Sequence, residues 1–234
     1  MVEFRCGGEV VTQSLVIAID GPSGSGKSTT ARLLAEQLVL GYLDTGAMYR
    51  AIAWEYLRSG GAVGDAEAIV AVTRQADVRV STHPDAPLVT VNGHDVTAAI
   101  REPQVSASVS MVATNTDVRR ILTKRMREII AAHNRRIVVE GRDITTVVAP
   151  DADVRVLLVA DPDARVARRA AELGEQVDPG SVTDQVIRRD ANDSTVSNFT
   201  DASEGVVVID STFQLPDAVV EQILRLVDNL PSDR

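Results

Sequence analysis

The stretch Leu15-Val-Ile-Ala-Ile-Asp-Gly21-Pro-Ser-Gly-Ser-Gly-Lys27-Ser28 places five apolar residues, a glycine-rich loop and the start of a helical pattern in direct succession. Leu15–Ile19 is typical of a buried strand, and Ser28–Leu38 has apolar residues at the helical spacing. The glycines allow consecutive backbone N–H groups to point into the loop, and the helix N-terminus adds the positive end of its dipole. This arrangement predicts an anion-binding site.

The spacing Gly21-x4-Gly26-Lys27-Ser28 is that of the Walker A loop, which binds the phosphates of a nucleoside triphosphate. Lys27 would reach the β- and γ-phosphates, and the Ser28 hydroxyl would ligate Mg²⁺. The alternative is a glycine- and serine-rich turn followed by a simple helix cap. The predicted ATP-binding residues are Gly21, Pro22, Ser23, Gly24, Ser25, Gly26, Lys27, Ser28 and Thr29.

Short apolar runs alternate with helical patterns along the rest of the chain, which is typical of βαβ units and a parallel sheet. We therefore predict a P-loop three-layer α/β fold around a central parallel sheet of five strands. The further predicted strands end near Leu43-Asp44 or lie at Ile137–Val139, Val154–Val159 and Val206–Ile209. The further predicted helices are Ala47–Arg58, Asp117–Ala132, Pro162–Leu173, Ser181–Arg189 and Asp217–Val227.

One segment interrupts the alternation. Asp77–Val80 and Leu88–Val91 alternate at period two, and Asn92-Gly93 is a hairpin signal. We predict a small antiparallel β-subdomain inserted at residues 75–103. Residues 1–13 are predicted to be a flexible extension. The rest of the predicted single domain, residues 14–234, divides into a core at 14–74, 104–162 and 196–234 and a helical lid at 163–195.

Composition limits the class of partner. The net charge is −9 and the pI is near 4.9, whereas nucleic-acid-binding proteins usually present a basic face, so we predict no nucleic-acid partner. The apolar runs are far shorter than the roughly 20 residues of a membrane span, so we predict no membrane contact. Glu3, Arg5 and Glu9 lead us to expect no secretory signal. A single cysteine, Cys6, fits a reducing cytoplasm, and we expect a cytoplasmic monomer.

Polar residues follow two further predicted strands. Thr45 is predicted to cap the helix that begins near Ala47, and Arg50 lies on that helix. A helix start beside an arginine is a good phosphate site, although an arginine such as Arg50, taken alone, is more often a surface residue. Arg142 and Asp143 follow another strand, at the edge of the sheet where open parallel sheets bind ligands. We predict that these residues form a second, acceptor site.

Arginines are also concentrated on the predicted lid. Arg165, Arg168 and Arg169 share one helical face, and Arg189 lies on the next predicted helix. Arginines that swing over bound phosphates would offset transition-state charge and exclude water. The alternative is a solvated helix face paired with acidic neighbours such as Asp161.

The combination of motifs resembles the long bacterial form of cytidylate kinase, from about Leu15 to Val227. The glycine-rich loop is shared by many kinases, but the middle blocks, in this order and at these distances, are close to family-specific. The five blocks are Ile-Asp-Gly-Pro-Ser-Gly-Ser-Gly-Lys-Ser, Leu43-Asp-Thr-Gly-Ala-Met-Tyr-Arg50, the hairpin that ends in Val96-Thr-Ala-Ala-Ile-Arg101, Glu140-Gly-Arg-Asp-Ile144 and Arg188-Arg-Asp-Ala-Asn-Asp193.

The resemblance implies transfer of the γ-phosphoryl group of ATP to CMP or dCMP with Mg²⁺, giving ADP and CDP or dCDP, in pyrimidine nucleotide metabolism. In the family, the equivalents of Ser110 and Arg119 read the cytosine edge, and that of Asp193 holds the ribose hydroxyls. The implied catalytic residues are Lys27, Arg142, Arg165 and Arg189. The implied acceptor-binding residues are Thr45, Arg50, Ser110, Arg119, Arg142, Asp143 and Asp193, of which Arg50 and Arg142, with Arg189, would hold phosphate.

The chain departs from this resemblance at two positions. Val196 stands where an arginine is common, so one phosphate contact is missing or comes from another lid arginine. Thr145 stands where a glycine is common, and we expect it to stiffen its loop without touching a charge.

Two other functions remain open from the sequence. The first is a kinase of another small acceptor, either a different monophosphate or a hydroxylated metabolite. The second is a nucleotide-binding regulatory module with slow ATPase activity and a protein partner. The two classes differ in whether ATP turnover depends on an acceptor.

Overall fold

The structure is a computed structural model that describes residues 13–62, 64–173, 190–191, 194–197, 199 and 201–231. A 3₁₀ turn lies at Ala99–Arg101 and a π-helical turn at Ile144–Val148. In chain order the strands and longer helices are β1 (Leu15–Asp20), α1 (Lys27–Leu38), β2 (Gly41–Asp44), α2 (Thr45–Arg58), α3 (Ala66–Gln75), β3 (Val78–Val80), β4 (Val89–Val91), β5 (His94–Asp95), α4 (Pro103–Ala113), α5 (Thr116–Ala132), β6 (Arg136–Gly141), β7 (Val154–Val159), α6 (Pro162–Leu173), β8 (Val207–Asp210) and α7 (Pro216–Asp228).

Five parallel strands form the central sheet, in the order β2-β6-β1-β7-β8, which confirms the predicted fold class. Alternate residues of β1 enter different apolar layers. Val16 and Ala18 pack with α2, α4 and α5, whereas Ile17 and Ile19 pack with α1 and α7. The continuous apolar run of β1 is therefore explained by helices on both faces of the sheet. The carboxyl ends of β1, β2 and β6 lie side by side at one edge.

The inserted segment forms a second, antiparallel sheet in the order β3-β4-β5. Asn92 and Gly93 make the turn between β4 and β5 with φ of 50° and 81°, as the Asn-Gly pair predicts. Val91, Val96 and Ile100 are fully buried in the same apolar layer as α2, so this sheet is anchored to the body of the protein. The exact boundaries of insert, core and lid remain predictions.

Two helices were not anticipated from the sequence. In α3 only Ile69, Val70 and Thr73 are buried, which is a narrow face. In α4 the sequence is rich in serine and valine, which have modest helix propensity, and Pro103 occupies its first turn. The predicted helix at Ser181–Arg189 lies outside the described residues. In the described part of the chain, no helix combines the length and the apolar character needed to cross a membrane.

Candidate active site

The glycine-rich loop runs from the end of β1 to the N-terminus of α1. Gly26 is the N-cap of α1 with a φ of 89°, and Gly24 has a φ of 77°. A Cβ on Gly24 would lie 2.5 Å from the carbonyl oxygen of Arg165, so a side chain has no room there. Lys27 donates a hydrogen bond from Nζ to the carbonyl of Pro22 at 2.7 Å, which holds the amine across its own loop.

Glu140 lies beside this loop, at the end of β6. It is buried, and its Oε1 accepts hydrogen bonds from the hydroxyls of Ser28 at 2.6 Å and Tyr42 at 3.2 Å. Burial raises the pKa of Glu140 above its ordinary value, and the carboxylate of Asp44 adds to that shift while Lys27 opposes it. Glu140 is not among the site residues predicted from the sequence. An acidic residue at the carboxyl end of the strand beside β1 was the available signal.

The start of α2 differs from the prediction in one contact. Asp44, not Thr45, is the N-cap, because its Oδ1 accepts the hydrogen bond from the backbone N–H of Ala47 at 2.9 Å. Thr45 is the first residue of the helix, and its hydroxyl donates to the carbonyl of Glu140 at 2.8 Å. The side chain of Thr45 therefore joins α2 to β6, and the prediction that it caps the helix was wrong.

Arg50 lies on α2 and donates a hydrogen bond to the hydroxyl of Ser106 on α4 at 2.8 Å. Burial lowers the pKa of Arg50 to about 10, and repulsion from Arg169 adds to this shift while Asp44 opposes it. Arg50 is charged at neutral pH even so. Its environment therefore contains positive charge in excess, which an anion would relieve.

The predicted acceptor residues Arg119 and Asp143 form a salt bridge between α5 and the turn after β6. Both side chains are largely buried, at 15% and 9% exposed. Arg119 also donates to the carbonyl of Ala113 at 3.0 Å, which fixes the guanidinium plane. Burial raises the pKa of Asp143, and the charge and hydrogen bond of Arg119 oppose that shift.

Two arginines of the predicted catalytic set converge on one carboxylate. Arg142 donates to Asp190 Oδ1 at 2.6 Å, and Arg165 forms a salt bridge with Oδ2 of the same residue. The backbone N–H of Ser23 also donates to Asp190, at 3.2 Å, and the guanidinium of Arg142 lies 4.9 Å from the centroid of the Phe199 ring. Asp190 thus joins the glycine-rich loop, the turn after β6 and α6.

A cavity of about 480 Å³ connects these groups. Ser110 and Arg165 are not among the described residues that line it; Arg165 instead contacts the back of the loop through the carbonyl of Ser23 at 3.1 Å. Arg189 and Asp193 lie outside the described residues. The predicted residues that line the cavity are Ser23, Gly24, Gly26, Lys27, Ser28, Thr29, Thr45, Arg50, Arg119, Arg142 and Asp143. Lining residues that were not assigned include Arg32, Asp44, Arg101 and Glu140, and Arg169, predicted as a lid arginine, lines the cavity as well.

The two sequence departures lie in different places. Val196 borders a second hollow of about 780 Å³ along the outer face of α5, and Arg119 and Asp143 border both hollows. Thr145 is buried, and its hydroxyl donates to the carboxylate of Asp20 at 2.6 Å. The expectation that Thr145 touches no charge was therefore wrong, because Asp20 at the end of β1 reaches the turn after β6.

Comparison with known proteins agrees with this geometry. The family model for cytidylate kinase matches residues 17–229. The chain belongs to the cytidylate kinase family. A cytidylate kinase from Cutibacterium acnes is 53% identical over 217 residues, which cover 92% of this chain and 97% of that protein. A cytidylate kinase from Streptomyces avermitilis is 42% identical over 92% of this chain and 93% of that protein.

Among solved structures, an uncharacterised protein from Eubacterium ventriosum matches 92% of this chain and 99% of its own length, with a TM-score of 0.50 and 14% identity. At that identity the likeness concerns the fold alone. Family membership therefore rests on the sequence relatives, and it places the glycine-rich loop and the cavity within a family of kinases.

Proposed function

We propose that this protein is an ATP-dependent kinase of CMP or dCMP that gives ADP and CDP or dCDP. One observation carries the proposal: a single cavity joins the phosphate loop with Lys27 to the cluster of Arg50 and Arg142 and to the Arg119–Asp143 pair. A cavity with two separate concentrations of positive charge suits a donor triphosphate and an acceptor monophosphate together. Membership of the cytidylate kinase family supports a cytosine nucleotide as the acceptor.

On the donor side, the loop Gly21–Thr29 would bind the triphosphate, and Lys27 would contact its β- and γ-phosphates. The residues present fit Mg²⁺, because the Ser28 hydroxyl and the Asp44 and Glu140 carboxylates are hard oxygen donors at one side of the cavity. Ser28 would be the direct ligand, with the carboxylates placed to hold metal-bound water. When bound, Mg²⁺ would offset charge on the donor phosphates.

On the acceptor side, Arg50 and Arg142 would bind the monophosphate, and Thr45 lines the same cavity. The Arg119–Asp143 pair offers a guanidinium donor and a carboxylate acceptor to one edge of a base, which suits the adjacent acceptor and donor groups of cytosine. Arg169 lines the same cavity and is our candidate for the phosphate contact that Val196 does not supply. Ser110, Arg189 and Asp193 remain predictions from the family resemblance.

The reaction requires no protein base. The nucleophile is an oxygen of the acceptor phosphate, whose second pKa is about 6, so it is largely ionised at neutral pH. This oxygen forms a bond to the γ-phosphorus while the bond from that phosphorus to the β,γ-bridging oxygen breaks, and ADP leaves with the bridging oxygen. Lys27 and Arg142 would offset charge on the transferring group, and in-line positioning supplies the rest of the acceleration. Closure of the lid would exclude water.

An acceptor panel tests this proposal against the two alternatives. ADP release is measured by a coupled assay with ATP, Mg²⁺ and one of CMP, dCMP, UMP, AMP, GMP or shikimate. We expect CMP and dCMP to give the highest kcat/KM, by about tenfold or more over UMP, since loss of a buried hydrogen-bond partner costs that much. A preference for another acceptor would support a different kinase, and ADP release without any acceptor would support the regulatory module.

We further propose that the enzyme works as a monomer in the cytoplasm. Sedimentation of the purified protein would check the monomeric state.

A further inference from the structure

The carboxylate of Asp20 has a role in the fold that the phosphate loop does not explain. Asp20 is the last residue of β1 and is only 1% exposed. It accepts three hydrogen bonds, all from the turn after β6: from the N–H groups of Ile144 and Thr145, each at 2.8 Å, and from the Thr145 hydroxyl at 2.6 Å. One buried side chain therefore holds the start of that turn.

The turn that Asp20 holds carries the acceptor residues. Asp143 directly precedes Ile144, and its carbonyl accepts hydrogen bonds from the N–H groups of Val147 at 2.9 Å and Val148 at 3.0 Å. The direction of the Asp143 side chain towards Arg119 depends on this backbone. Burial raises the pKa of Asp20, the hydrogen bonds from Ile144 and Thr145 oppose that shift, and repulsion from the nearby Asp143 carboxylate adds a smaller rise.

We propose that Asp20 and Thr145 are positioning residues that fix Asp143 for recognition of the acceptor base. Within this group, the hydrogen bond from the Thr145 hydroxyl to Asp20 is the one that a substitution can remove without removing the backbone hydrogen bonds. The proposal rests on the function proposed above. Asp20 cannot be tested alone, because its removal would leave two buried N–H groups without their acceptor. Thr145 can be tested, because its hydroxyl can be removed while both backbone N–H groups stay.

The experiment compares Thr145→Val, Thr145→Ala and Thr145→Ser with the wild type. Thr146→Val is the matched control, because Thr146 is the next residue and is exposed. We expect the Val and Ala variants to raise KM for CMP about tenfold, the range for loss of a hydrogen bond to a charged group, with KM for ATP within about twofold. Thr145→Ser should restore the wild-type KM, and Thr146→Val should not change it. The Ala variant adds no bulk, so it covers the case in which the Val variant does not fold.

A purely structural role would give a different pattern, namely a lower melting temperature and less active enzyme with both KM values unchanged. That pattern, or an equal rise of the KM values for ATP and CMP, would overturn the proposal. Amide hydrogen exchange gives a readout that does not depend on the substrate. Thr145→Ala should speed exchange at Val147 and Val148 and not in β1. Wild-type protein that does not use CMP would contradict the proposed function, and unchanged exchange at Val147 and Val148 would contradict the positioning role.

Discussion

Lys27 is one of only two lysines in a chain with 22 arginines, and it lies inside the phosphate loop. Because it would contact the transferring group, Lys27→Ala should lower kcat by about a hundredfold or more while the melting temperature stays close to that of the wild type. The matched control is Lys124→Ala, since the Lys124 side chain is 81% exposed on α5. Steady-state kinetics and a thermal melt check both variants. Near-normal turnover in Lys27→Ala would contradict its role.

Substitution of Arg50 should affect binding of the acceptor much more than binding of the donor. The environment of this residue already contains repelling positive charges, so an acceptor phosphate bound beside Arg50 would relieve that repulsion. Arg50→Ala should raise KM for CMP by at least about tenfold and change KM for ATP by less than about threefold. Arg79→Ala, whose side chain is 78% exposed on the inserted sheet, is the control. Equal increases in the two KM values would remove Arg50 from the acceptor site.

The buried carboxylate of Glu140 is expected to lower the stability of the fold when it is ionised, although the activity needs it. Its pKa is raised in the folded state above the ordinary value of 4.5, so the folded protein holds a proton there more tightly than the unfolded chain does. This contribution to stability is present at low pH and is lost as the pH rises through the folded-state pKa. Glu140→Gln keeps an oxygen for Ser28 and Tyr42 and removes the charge, so it should melt a few degrees higher than the wild type at about pH 8.

The difference in melting temperature should shrink as the pH falls towards about 4.5, because the wild-type carboxylate then becomes protonated. Activity should fall in the same variant at every pH. Glu128→Gln is the control, since Glu128 is 63% exposed on α5. A Glu140→Gln variant that melts below the wild type at about pH 8 would show that ionised Glu140 stabilises the fold, contrary to this account.

At the scale of the element, the phosphate loop can be tested through its glycines. Gly24 and Gly60 have nearly the same φ, 77° and 76°, but a Cβ would meet the backbone of Arg165 only at Gly24, and nothing lies within 4 Å at Gly60. Gly60→Ala therefore measures left-handed strain alone, about 1 kcal/mol. Gly24→Ala should lower the melting temperature further and abolish ATP binding in calorimetry. Similar melting temperatures and intact ATP binding in both variants would contradict the crowded loop.

The elements that the sequence predicted well are those with a strong local signal in the sequence. Leu15–Ile19 is apolar because helices cover both faces of β1, and Asn92-Gly93 makes the expected turn because both residues tolerate positive φ. The missed helix α4 has weak local signals and is stabilised by packing against α2. The cap of α2 was assigned to the wrong neighbour, because Asp44 and Thr45 are both capping residues and only the chain direction after β2 decides between them.

At the scale of the whole molecule, the site is made of contacts between residues that are far apart in the chain. Glu140 lies 112 positions from Ser28, Ile144 lies 124 from Asp20, and Asp190 lies 167 from Ser23. The strand order β2-β6-β1 brings the first two pairs together, and no local pattern specifies that order. The sequence therefore predicted most of the residues that line the cavity, but not the carboxylates that hold them in place.

In the proposed function, a phosphoryl group passes from ATP to a cytosine nucleotide within one cavity. The most direct measurement incubates the wild-type protein with ATP labelled at the γ-phosphate, Mg²⁺ and CMP, and then separates the products. We predict that the label appears in CDP in step with the loss of ATP, and that label in inorganic phosphate is minor. Label found in inorganic phosphate at a rate that CMP does not change would contradict this function.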